Sequence, residues 1–255
     1  MHASSMTSES RWLAALTLSL ASLAANAQDI TVSAAASLSN AFKDIAAQFE
    51  AANPDVSVRL NIAASGVLLQ QIEQGAPVDI FASADQTTMD RAAKQSLIDT
   101  ASRKDFVSNS LVLVQPTDRA YTVGTLDDLK GDKVRRIAIG KPGTVPAGRY
   151  TEQALTAANL WVTLQPRIIY ADNVRQVLDY VARGEVDAGF VYKTDAQLKS
   201  RDVDILLTPG NHDPLTYPIA IVSQSKAKAM AQKFIDYLAT APARDILDGY
   251  GFGAP

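Results

Sequence analysis

Val56, Val58, Leu60 and Ile62 alternate strictly with polar residues, the signature of a half-buried strand. Upstream, Ile30 and Val32 alternate in the same way before the small run Ala34 to Ala36. The period then changes. Phe42, Ile45, Ala46, Phe49 and Ala52 recur at helical spacing, and Asn53-Pro54 stops that helix. Val67, Leu68, Gln71 and Ile72 predict a second helix ended by Gly75; Ile80-Phe81 is a short buried strand, and Met89, Ala92 and Ala93 mark the next helical face. This handover from strand to helix, repeated along the chain, predicts an α/β protein with largely parallel sheets.

Two continuous apolar runs punctuate the pattern. Leu111-Val112-Leu113-Val114 is closed by Pro116, and Ile219-Ala220-Ile221-Val222 stands about a hundred residues later. Between them lies a second set of units: strand 137–139, helix 147–155, strand 168–170, helix 174–181 capped by Gly184, and strands 188–192 and 203–207. The remainder is too short for a third domain. Met230, Phe234 and Leu238 form one helical stripe, and Ile246, Leu247, Tyr250 and Phe252 close the chain, so this segment must pack on something already built. The expected organisation is a discontinuous first lobe, residues 28–112 and 219–255, with an inserted second lobe, 113–218, joined through a two-strand hinge. No internal repeat is visible in the sequence.

Composition narrows the function. Arg11 precedes the apolar stretch Trp12 to Ala25, and Ala25-Asn26-Ala27 is a small-residue cleavage pattern, so residues 1–27 read as an export signal (Met6 would serve as a start as well as Met1). That stretch is short for a membrane span, which needs about 20 residues, and the mature chain is expected outside the cytoplasm with no stable membrane insertion. Net charge is -3, with Lys and Arg spread among Asp and Glu, which does not fit a nucleic-acid binder. There is no cysteine, excluding thiol catalysis and thiolate metal sites, and His212 is the only histidine beyond the signal, excluding a metal site built on several His.

Four apolar runs hand over to helix starts made of small or hydroxyl residues: Ala36-Ser37-Leu38, Ala64-Ser65-Gly66, Pro146-Ala147-Gly148 and Asp172-Asn173-Val174. The first turn of a helix has N–H groups without intrahelical partners and about half a positive charge. Each start is therefore a potential anion site, although Ser, Asn and Gly also serve as ordinary N-caps. The starts divide two and two between the lobes, and open α/β sheets bind ligands at the carboxyl ends of their strands. Asp79, Asp85 and Asp195 read as helix and turn caps rather than a metal or acid-base cluster, and Arg175 stands beside Val174 as a charge behind that helix start.

The chain resembles the periplasmic molybdate-binding proteins of ABC transporters, members of the two-lobed type II periplasmic binding proteins. The resemblance rests on Ala34-Ala35-Ala36-Ser37-Leu38, Ala64-Ser65-Gly66, Gly75-Ala76-Pro77-Val78-Asp79-Ile80-Phe81 with Ser83-Ala84-Asp85, Val145-Pro146-Ala147-Gly148, Asn173-Val174-Arg175, Gly189-Phe190-Val191-Tyr192 with Asp195, and Tyr217-Pro218-Ile219. It spans nearly the whole mature chain. It implies two lobes, each a mostly parallel sheet flanked by helices, closing on molybdate or tungstate for delivery to an ABC permease, with no catalysis and no cofactor; a monomer is the default expectation for a carrier that must dock on a permease. Ser37 and Ser65 match the hydroxyl ligands, Ala147 and Val174 the positions that donate only a backbone N–H, and Tyr192 the phenol donor. Molybdenum is then bound as its oxyanion with no direct ligation of the metal. The departure is Ala64, where many relatives have a second Ser.

Such a donor set suits molybdate and sulfate, which are fully deprotonated near neutral pH, better than hydrogen phosphate, whose proton wants an acceptor. Sulfate is the nearest alternative cargo. An exported hydrolase using Ser37 or Ser65 is disfavoured because neither serine sits in a G-x-S-x-G elbow, and a regulator's effector domain because no helix-turn-helix segment accompanies the export signal.

Overall fold

The alternating segment is a strand in the computed structural model, which describes residues 28–119 and 123–255. The export-signal reading of residues 1–27 lies outside the described residues. In chain order, β1 (Gln28–Ala35) runs through a 3₁₀ turn (Ala36–Leu38) into α1 (Ser39–Ala52), followed by β2 (Val56–Ala63), α2 (Ser65–Glu73), β3 (Ile80–Ala82), α3 (Gln86–Lys94) and β4 (Lys104–Ser108). Then come β5 (Leu111–Pro116), β6 (Ile137–Gly140), α4 (Pro146–Ala157), α5 (Trp161–Leu164), β7 (Ile168–Ala171), α6 (Val174–Ala182), β8 (Ala188–Tyr192), α7 (Lys193–Leu198) and β9 (Val203–Leu207). The chain closes with β10 (Thr216–Ile221), α8 (Lys228–Tyr237) and α9 (Ala241–Gly249).

The strands form two five-stranded sheets, β2-β1-β3-β10-β4 and β7-β6-β8-β5-β9, the centres of two lobes. The chain passes from the first sheet to the second through Asn109-Ser110 and returns between Leu207 and Thr216. In each sheet one strand opposes the other four, and it is the strand next to the crossing: β10 in the first, β5 in the second.

The two orders are the same topology written twice, although the sequence carries no visible repeat. In each lobe the first strand lies between the second and third, and the crossing strand separates the third from the fourth. The first two strands of each lobe are parallel neighbours, β1 with β2 and β6 with β7, so the helix starts that follow them emerge side by side at the carboxyl edge. The even division of the four starts follows from this duplication.

Packing explains why the last segment of the chain returns to the first lobe. α1 buries Ala41, Phe42, Ile45, Ala46 and Phe49, while Ala52, which shares their spacing, is exposed at the last turn. Phe234 of α8 sits edge-on to Phe42 and Phe49 at ring separations of 6.2 and 5.1 Å; burying one such ring contributes about 1.5–3 kcal/mol. The last residues tie down the sheet edge through paired backbone bonds between Ser108 and Gly253.

Candidate functional site

Ser37 lies in the 3₁₀ turn after β1, Ser65 opens α2 after β2, Ala147 is the second residue of α4 after β6, and Val174 opens α6 after β7. Tyr192 ends β8. All five line one small cavity between the lobes, about 200 Å³ with the solvent space at its mouth included. None is more than 3% exposed. The other lining residues are Ala, Val and Pro, so neither an acid nor a basic side chain faces the cavity.

The serines are not helix caps. The cap positions are Ala35 and Ala64, which make no side-chain cap bond, and the same is true of Val145 ahead of α4. Of the four starts, Asn173 alone caps in the ordinary way, its Oδ1 accepting from the Gln176 N–H at 3.0 Å. Ser65 Oγ accepts a bond from the Ala84 N–H at 3.0 Å, which leaves its proton for the cavity. Ser37 Oγ lies 3.0 Å from the Tyr217 hydroxyl. The Tyr192 hydroxyl is buried with no protein partner, and burial pushes its pKa well above the ordinary 10, so the phenol keeps its proton.

Charges surround the cavity in neutral pairs. Arg149 of α4 reaches across to the first lobe, with Nη2 2.6 Å from Asp85 Oδ2 and donating to Thr88 Oγ1 at 2.6 Å. Asp85 is also the N-cap of α3. Arg175 of α6 crosses as well, donating to Asn40 Oδ1 at 2.9 Å and to the Ser37 carbonyl at 3.2 Å, while its Nε sits 2.5 Å from the buried Asp195. A third crossing is a backbone bond from the Gly66 N–H to the Thr144 carbonyl, 2.9 Å. Sequence spacing signals none of the three crossings, Arg149 to Asp85 and Thr88, Arg175 to Asn40 and the Ser37 carbonyl, and Gly66 to Thr144, each of which joins residues many positions apart on different lobes. Asp79, just ahead of β3, ties β1 to the loop after β10, accepting from the Thr31 N–H and the Ser225 hydroxyl. His212 sits in the return crossing with Nδ1 2.7 Å from the Asp213 carbonyl, and among the described residues no cluster of three metal-binding side chains occurs.

Asp195 has a measurable signature. Burial pushes its carboxyl from 3.8 up to about 6, against the opposing pull of Arg175 and of the Tyr192 N–H. The other titratable groups coupled to it are the phenols of Tyr192 and Tyr217. Because the folded value lies above the ordinary one, the folded protein holds this proton more tightly than the unfolded chain. Its contribution to stability is full below 3.8 and lost as pH rises through about 6. The melting temperature relative to an Asp195→Asn variant is expected to rise as pH falls through this window and to be flat above it. A difference that is flat throughout would contradict the assignment.

Comparison with known proteins gives a consistent picture. The family model described as bacterial extracellular solute-binding protein matches residues 30–253. The chain is 40% identical over 257 residues to the molybdate-binding protein ModA of Escherichia coli (strain K12), covering 95% of this chain and 98% of that protein. It is 36% identical over 239 residues to the ModA of Haemophilus influenzae, covering 91% and 92%. Among solved structures, the periplasmic molybdate-binding protein of Azotobacter vinelandii superposes with a TM-score of 0.77 at 25% identity, covering 89% of this chain and 99% of that one.

Proposed function

We propose that this chain, which belongs to the bacterial extracellular solute-binding protein family, captures molybdate, and tungstate with it, in the cavity between its lobes. The carrying observation is the character of that cavity: hydroxyls and first-turn N–H groups converge from both lobes, and no carboxylate or basic side chain faces it. Burying a dianion is costly unless it is hydrogen-bonded throughout. Donors to an ionised acceptor contribute about 1.5–3 kcal/mol each, and Ser37, Ser65, Ala147, Val174 and Tyr192 would supply them. Arg149 and Arg175 are matched by Asp85 and Asp195, so the anion would be held by oriented neutral dipoles.

In this reading the exported protein works as a periplasmic monomer. It closes on the anion because the anion touches both lobes and so favours the state in which they meet, then hands it to an ABC permease. The names of the relatives support molybdate as cargo. A cavity shaped for the larger anion would leave sulfate with stretched hydrogen bonds, which weaken with poor geometry.

The test is isothermal titration of the anion-free protein with molybdate, alone and in excess sulfate. One-to-one binding that survives sulfate is expected, weakened about 10- to 100-fold in Ser65→Ala, which removes one donor to a charged acceptor. Binding abolished by sulfate would reassign the cargo, and no heat with either anion would overturn the reading.

A further inference from the structure

Behind Ser37 runs a short directed chain of polar groups, buried at Tyr217 and half-buried at Asn109. Asn109, in the first crossing between the lobes, accepts the Ser110 N–H on its Oδ1 at 2.9 Å. Its amide nitrogen is thereby turned toward the Tyr217 hydroxyl at 3.2 Å and Thr194 Oγ1 at 2.9 Å. That nitrogen only donates. Tyr217, fully buried, keeps its proton because burial raises its pKa well above 10. With its oxygen accepting from Asn109, the Tyr217 proton has one oxygen left within reach, Ser37 Oγ at 3.0 Å. A reversed bond would leave a buried O–H without an acceptor, which costs more than the bond is worth. Ser37 therefore accepts from Tyr217 and points its own proton at the cavity.

We infer that Tyr217, held by Asn109, is a positioning residue that commits the Ser37 hydroxyl to donating, and so bars oxyanions that present a proton to it. The inference rests on the proposed oxyanion reading and deepens it. Ser65 is committed by the Ala84 N–H, a backbone group that substitution cannot remove. Ser37 is committed by a side chain, so its polarity can be changed without touching any residue that lines the cavity.

Sulfate and hydrogen phosphate are tetrahedral dianions of similar size, of which only hydrogen phosphate carries a proton, which makes them the probes. Titrations at mildly alkaline pH, where phosphate is almost wholly the hydrogen phosphate dianion, would compare molybdate, sulfate and phosphate on the unsubstituted chain and on Tyr217→Phe. Without the phenol proton the Ser37 hydroxyl is free to turn and accept. The preference for sulfate and molybdate over phosphate is expected to fall by about tenfold or more. Asn109→Asp supplies a second, nearly isosteric variant. Its carboxylate would accept the Tyr217 proton and reverse the chain of donors, and the added charge acts on all three dianions alike, so the preference should fall further. A purely structural role would weaken all three anions in proportion, and an unchanged ratio in both variants would overturn the inference alone. Absence of oxyanion binding by the unsubstituted chain would overturn the reading on which it rests as well.

Discussion

Replacing Gly66 by Ala is expected to lower molybdate affinity by about 10- to 1,000-fold while leaving the melting temperature of the anion-free protein almost unchanged. A Cβ at Gly66 would stand 2.7 Å from both the Cα and the carbonyl oxygen of Thr144. Both are backbone atoms of the other lobe and cannot swing aside. The Gly66 N–H also donates across the cleft to Thr144. The site residues are so deeply buried that an anion enters only when the lobes part, and in the parted state the added methyl meets nothing from Thr144. Overpacking costs about 1–3 kcal/mol and the lost bond about 0.5–1.5 kcal/mol, all of it falling on closure. Ala also suits the second position of a helix at least as well as Gly. Titration and thermal melting of the same preparation check this. A variant that melts much lower without anion would show that Gly66 serves the fold, and one that binds as well as the unsubstituted chain would show that the lobes need not approach this closely.

Much of the fold was legible because most strands are apolar runs or clean alternations. β8 and β9 begin and end where periodicity places them. β4 was missed, since Lys104-Asp105-Phe106-Val107-Ser108 carries its polar residues on an edge strand and shows no sustained period. The duplicated topology was hidden for a different reason. What repeats is strand order and direction, and QDITVSAA in β1 and IAIG in β6 meet the same topological demand with different residues. For the site, Ser37, Ser65, Ala147, Val174 and Tyr192 were named from a resemblance, and that they line one cavity follows from the sheets. The groups that orient and enclose them, Tyr217 behind Ser37 and Arg149 against Asp85, could not be read from sequence. Each contact joins elements whose approach is set by tertiary packing. Asp85 was legible only as a helix cap, which it is, and its second role requires the other lobe.

That second role gives the other large effect. Arg149→Met is expected to weaken molybdate binding by about 100-fold or more, chiefly through faster release. In the closed protein the Asp85 side chain is 4% exposed and its Oδ2 faces the guanidinium at 2.6 Å. Removing the cation leaves a buried carboxylate with only the Ser83 hydroxyl and the Thr88 N–H beside it. Breaking a buried pair from one side costs about 3–5 kcal/mol. When the lobes part, water reaches Asp85 and most of that cost disappears, so the penalty falls on the closed, anion-bound state. Capture begins in the parted state and should keep its rate, which puts the loss in dissociation. Met keeps an unbranched apolar side chain without the charge, and Lys, which keeps the charge but not the fork that also reaches Thr88 and the Pro142 carbonyl, should recover part of the affinity. Stopped-flow release and equilibrium titration on Arg149→Met, Asp85→Asn and the double variant form a cycle that isolates the pair. A coupling in binding with little in the stability of the anion-free chain is the signature of a contact made only on closure; equal coupling in both would mean that the lobes are held together by Arg149 whether or not an anion lies between them.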